Sequence, residues 1–99
     1  MEFLVEFEVE VPEGTPESEV DQRTRAESAA TARLADEGHL LRVWRRTAVE
    51  DDPTVIGLYV ADSAAALDDL LRALPLADWM QVTVIPLAPH PNDPARVAP

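Results

Sequence analysis

Neither cysteine nor lysine occurs in the 99 residues. The first absence removes disulfides, thiol catalysis and thiolate metal sites. The second removes Schiff-base chemistry on a lysine. Basic residues are scarce, with eight arginines against 19 acidic residues and a net charge of −11. Phosphate binding needs clustered Lys and Arg, so nucleic acid is not an expected partner. No apolar run approaches the length needed to span a bilayer, and no membrane partner is expected. The start, Met1-Glu2-Phe3-Leu4-Val5-Glu6, lacks the basic region and continuous apolar core of a signal peptide, so a cytoplasmic location is expected. No repeat stands out. The two histidines, His39 and His90, have no evident carboxylate at ligand spacing, and no metal is expected.

What is present suits one compact folded domain. Hydrophobic residues make up 46% of the chain and only three residues are glycine, a balance that argues against disorder. Residues 2–11 alternate, with Phe3, Val5, Phe7, Val9 and Val11 on one face and Glu2, Glu6, Glu8 and Glu10 on the other. Such alternation predicts a strand with one buried and one wet face. Pro12 to Pro16 breaks it. A helix is predicted from Pro16 or Glu17 to Glu37, closed by Gly38. At 100° per residue, its inward stripe is Val20, Thr24, Glu27, Thr31 and Leu34, with Ala30 beside it. A glutamate therefore lies on the core-facing side.

Strands are predicted over 40–47 and 54–61, separated by the acidic turn Glu50-Asp51-Asp52-Pro53. Ser63 can cap a helix over 64–73 with Leu67, Leu70, Leu71 and Leu74 as its stripe, ended by Pro75. A last strand is predicted over 79–87. The order β-α-β-β-α-β is the split-βαβ, α+β ferredoxin-like arrangement, a four-stranded antiparallel sheet with two helices on one face. Residues 1–88 are expected to form this domain, and 89–99 a proline-rich C-terminal tail. Strand alternation puts Trp44, Arg42 and Arg46 on the sheet face opposite Arg45. The row Glu6, Glu8 and Glu10 is either a solvated face or a partner for those arginines.

Several segments carry a family likeness: Val9 to Pro12, Glu27, Glu37-Gly38 through Trp44-Arg45, and Leu74-Pro75-Leu76 followed by Trp79-Met80 and His90-Pro91. In that order and spacing the chain resembles the muconolactone delta-isomerase family, which includes the chloromuconolactone dehalogenases. The resemblance implies a cofactor-free isomerase of aromatic catabolism acting on a small-molecule substrate. It implies a homo-oligomer too, a decamer with pockets near subunit contacts. Two departures stand out. The first helix carries Thr24-Arg25-Ala26-Glu27 where the family has Lys-Ala-Asp/Ser-Glu. The segment from Arg46 to Thr54 is longer than the family's Gly-x-Tyr-x-Asn-x-Ser turn and lacks its Tyr, Asn and Ser.

A 1,3-proton shift in an unsaturated lactone needs a base and something to stabilise dienolate charge. Glu27 is the candidate base; its rival reading is a glutamate that reaches solvent or pairs with an arginine. Arg45 is the candidate clamp for a substrate carboxylate, because a guanidinium binds carboxylates bidentately. Its rival is an ion pair with Glu27 or the acidic strand. Tyr59 is either core or a hydroxyl offered to the pocket. His39 and Trp44 complete the candidate substrate contacts, Trp44 having packing against a second subunit as its rival role. The alternative to the isomerase is a diverged member that binds or converts another small hydrophobic metabolite, or a non-catalytic oligomeric module.

Overall fold

The computed structural model of the protein describes residues 1–95. Its elements are β1 (Glu2–Val9), α1 (Glu17–Asp36), β2 (Leu40–Arg45), β3 (Val55–Val60), α2 (Ala64–Arg72), a short 3-10 turn (Ala77–Trp79) and β4 (Met80–Leu87). The strands form one antiparallel sheet in the order β2-β3-β1-β4, so the expected ferredoxin-like architecture is what the chain adopts.

The alternation in β1 drives the sheet onto its helices. Phe3 and Val5 are fully buried, and with Phe7, Leu40 and Tyr59 they meet Leu34 of α1 and Leu67, Leu71 and Leu74 around α2. The strand stops two residues earlier than the alternation predicts. Val9 pairs with Met80, and Glu10 donates one more amide to the Trp79 carbonyl at 2.7 Å. Beyond this no strand partner remains, and Val9 and Val11 are exposed.

Helix α1 runs as expected and ends where Gly38 takes a φ of +82°, a conformation that costs glycine little. Val20, Glu27, Ala30, Thr31 and Leu34 turn toward the sheet. Thr24 does not: it is exposed, and its hydroxyl donates back to the Val20 carbonyl at 2.8 Å. Arg23 takes that space, its guanidinium 4.3 Å from the centroid of the Trp79 ring. Helix α2 is capped as predicted, the Ser63 hydroxyl accepting from the Ala66 amide at 3.0 Å.

Strand β2 carries a bulge between Leu40 and Arg42. The extra residue, Leu41, is exposed, and Leu40 thereby joins Val43 and Arg45 on the helix-covered face. Arg42 and Trp44 lie on the other face, the guanidinium 5.0 Å from the indole centroid. β2 and β3 end short of the predicted hairpin. There the Arg46 amide makes one last backbone bond to the Thr54 carbonyl at 3.2 Å, and its side chain closes the turn by pairing with Asp52 and donating to the Thr54 hydroxyl at 3.1 Å. The sheet face opposite the helices presents Glu2, Leu4, Glu6 and Glu8 from β1, and no helix among the described residues covers it.

After Leu87, residues 88–95 form neither helix nor strand, and the His90 ring accepts from the Asn92 amide at 3.0 Å. The last four residues of the expected tail lie outside the described residues. Among the described residues no helix is long and apolar enough to cross a membrane.

Candidate active site

A cavity of about 180 Å³ opens between α1 and the sheet. It exceeds the ~150 Å³ that accepts a benzene ring, so one small ring fits. Phe7, Val55 and Gly57 line its sheet side, Leu76 and Met80 its far wall, and exposed Val9 and Val43 its rim. Three of the lining side chains carry polar groups: Glu27, Thr31 and Tyr59.

Glu27 reaches the cavity because it sits on the inward stripe of α1, one turn before Thr31. Its Oε1 accepts from the Leu76 backbone amide at 3.0 Å. No arginine pairs with it among the described residues; Arg23, one turn earlier, goes to Glu19 at 3.8 Å and Asp78 at 4.0 Å. Burial pushes the Glu27 carboxyl above its ordinary value of 4.5, and the Leu76 amide opposes the rise only in part. The site thus holds one carboxylate in apolar surroundings, with one oxygen anchored. Such a group holds a proton more readily than an ordinary carboxylate and can take one up and give it back.

Tyr59 lies in the same cavity and is 2% exposed. Burial, then the charge of Glu27, pushes its phenol up to about 12, so it stays protonated at neutral pH. The remaining candidates sit elsewhere in the single chain. Arg45 shares the sheet face with the cavity wall, two residues beyond Val43 and opposite Val55 in register. Its side chain, though, belongs to the surface depression of the 46–52 segment. His39 stands at the start of β2, its Nδ1 3.0 Å from the Val60 carbonyl. Trp44 lies on the face away from the helices and is 38% exposed. Among the described residues no group of three potential ligands could hold a metal ion.

Two contributors escaped the sequence reading. The sequence marks Leu74-Pro75-Leu76 as a helix stop and a family anchor, but neither signal points to the Leu76 amide as a partner for Glu27. Gly57 was passed over, although an isolated glycine in an apolar strand signals close approach of another group.

Comparison with known proteins identifies the family. The family model described as muconolactone delta-isomerase matches residues 1–93. The muconolactone delta-isomerase of Cupriavidus pinatubonensis is 30% identical over 92 residues, covering 93% of this chain and 97% of that one. Muconolactone delta-isomerase 1 of Acinetobacter lwoffii is 28% identical over 92 residues, with 93% of each chain covered. A crystal structure of muconolactone isomerase superimposes with a TM-score of 0.86 at 27% identity, covering 98% of both chains. A 5-chloro-2-hydroxyhydroquinone dehydrochlorinase from Burkholderia phenoliruptrix shares the fold alone, at 16% identity and a TM-score of 0.56 over 89% of this chain and 94% of that one. The chain belongs to the muconolactone delta-isomerase family.

Proposed function

We propose that this protein is a cofactor-free isomerase of muconolactone or a closely similar carboxylated unsaturated lactone, with Glu27 as its acid/base. The observation that carries this reading is the single carboxylate on an apolar, ring-sized cavity, raised by burial and anchored by the Leu76 amide. Its relatives are muconolactone isomerases by name and by solved structure.

In the reaction, Glu27 takes the ring proton at the carbon conjugated through the double bond to the lactone carbonyl. The C–H electron pair moves through the ring onto the carbonyl oxygen. Protonation by the same carboxyl at the carbon next to the carbonyl then shifts the double bond, with no net change in atoms or charge. Apolar walls strengthen every interaction with the transient charge.

Arg45 holds the substrate carboxylate at the cavity rim. Two residues of strand, about 7 Å, separate it from Val43, a span that an extended arginine covers. His39, Tyr59 and Trp44 are assigned to the surroundings of the substrate, Trp44 and His39 through contacts that a second subunit completes. The protein works as a cytoplasmic homo-oligomer. The uncovered sheet face supports this assignment, for Trp44, Ile85 and Leu87 are large apolar residues left exposed on it.

A second reading has its own support. No arginine lines the cavity among the described residues, and the 46–54 segment departs from the family turn, as suits a diverged member converting a neutral hydrophobic metabolite. Incubation with muconolactone, followed by the ultraviolet change, separates the two. Turnover is expected; no turnover by the wild-type protein removes muconolactone as substrate.

A further inference from the structure

We propose that the Tyr59 hydroxyl is a second catalytic group of this cavity, donating a hydrogen bond to the substrate oxygen that gains charge as Glu27 takes its proton, and that Gly57 admits the Tyr59 ring to that position. The inference rests on the isomerase reading of the same cavity.

Two hydroxyls line the cavity, and one is already engaged. The Thr31 hydroxyl turns back along α1 to the carbonyls of Glu27 at 3.0 Å and Ser28 at 3.1 Å. The phenol of Tyr59 has no hydrogen-bond partner among the described residues, although the residue is only 2% exposed. Among the described residues, however, no fully buried polar side-chain atom lacks a partner. The phenol oxygen therefore keeps some accessible surface, and Tyr59 lines the cavity that holds Glu27. A phenol with no protein partner keeps its donor available for an acceptor bound in the cavity.

Gly57 explains how a ring this large shares the site. Strand alternation puts residues 57 and 59 on the same face. A Cβ at 57 would stand 2.6 Å from Cε1 and 3.3 Å from Cδ1 of the Tyr59 ring. The ring thus leans back over the backbone of its own strand, where only glycine leaves room. Phe7 fixes the other side, its ring centroid 5.9 Å away and tilted by 60°.

The bond is needed only when charge develops. As the ring proton passes to Glu27, the C–H pair becomes negative charge on the carbonyl oxygen, and the phenol donates to it without losing its proton. As Glu27 returns the proton to the neighbouring carbon, the pair flows back and the oxygen reverts to a neutral carbonyl. A phenol held near 12 keeps its proton throughout.

Tyr59→Phe keeps the ring and removes the donor. With muconolactone as substrate, kcat is expected to fall ~10²-fold with KM little changed, the loss seen when one such donor is deleted. Gly57→Ala is expected to lower kcat comparably, and the Gly57→Ala, Tyr59→Phe double variant to be no worse than the poorer single one. Wild-type kcat in Tyr59→Phe beside an inactive Glu27→Gln overturns the inference and leaves the isomerase reading intact. A readout free of turnover keeps the two separable if muconolactone is not converted. Tyr59 is the only tyrosine in the chain, so phenolate absorbance titrates it alone. A midpoint near 12 that falls in Glu27→Gln is expected; a midpoint that Glu27→Gln leaves unchanged overturns the shared cavity.

Discussion

Glu27 and Asp52 are the two carboxylates whose surroundings reshape them most, and they are moved in opposite directions. Glu27 sits against apolar side chains with one backbone amide for a partner, and burial raises its pKa. Asp52 sits at the β2–β3 turn, where the Arg46 guanidinium, the Thr54 amide at 2.9 Å and the Thr54 hydroxyl hold it down to about 2. The first arrangement suits a group that exchanges protons, the second a group that never does. Function and structure have been given to the same chemical group at two places by the partners that each is offered.

The largest effects are expected at the cavity. Glu27→Gln is expected to lower kcat by ~10²–10⁴, the range that general acid–base catalysis contributes, measured by the ultraviolet change with muconolactone. Asp52→Asn is expected to leave kcat at the wild-type value, since it removes a charge that the reaction does not use. Next in size comes Arg45→Ala. Losing a charged hydrogen bond of about 1.5–3 kcal/mol corresponds to a rise in KM of roughly 10- to 150-fold, with kcat little changed. An unchanged KM would remove the clamp.

Smaller effects are expected in stability. The folded pKa of Glu27 lies above its unfolded value, so the folded state binds more protons, and stability falls as pH rises through the window above 4.5. Glu27→Gln still accepts from the Leu76 amide, and at pH 7 it is expected to melt at or above the wild-type temperature. Asp52 behaves oppositely. Its folded pKa is lowered, so its contribution is present above the ordinary value of 3.8 and disappears as pH falls toward 2. Melting temperatures of wild type and Asp52→Asn are therefore expected to converge across that window. Ser63→Ala, which deletes the cap of α2, is expected to cost about 1 kcal/mol at every pH and to leave kcat untouched. It controls for stability without chemistry.

The difference in legibility between the two regions has a physical cause. Local periodicity placed β1, both helices and the inward position of Glu27, because burial on one face is written directly into residue spacing. The ends of β2 and β3 were less readable. Their limits depend on Arg46 reaching Asp52 and Thr54 six and eight residues away, a tertiary choice that alternation does not encode. At 100° per residue Thr24 falls on the inward stripe, yet Arg23 lies against Trp79 on that side while Thr24 bonds back to its own helix, a tertiary contact that angle alone does not encode. The bond from the Leu76 amide to Glu27 arises only when α1 and the 74–76 segment meet, and spacing within one segment cannot report it. The Gly57–Tyr59 contact lies within β3, where an isolated glycine in an apolar strand is its readable sign.

Burial in the cavity makes Glu27 a base in this account, and the pH dependence of kcat/KM, measured on wild type and on the residual activity of Glu27→Gln, reads that directly. The expected result is a wild-type rate that drops on the acid side with a midpoint above 4.5, and a limb that vanishes in the variant. An acid limb at or below 4.5, or one that survives in Glu27→Gln, would contradict it.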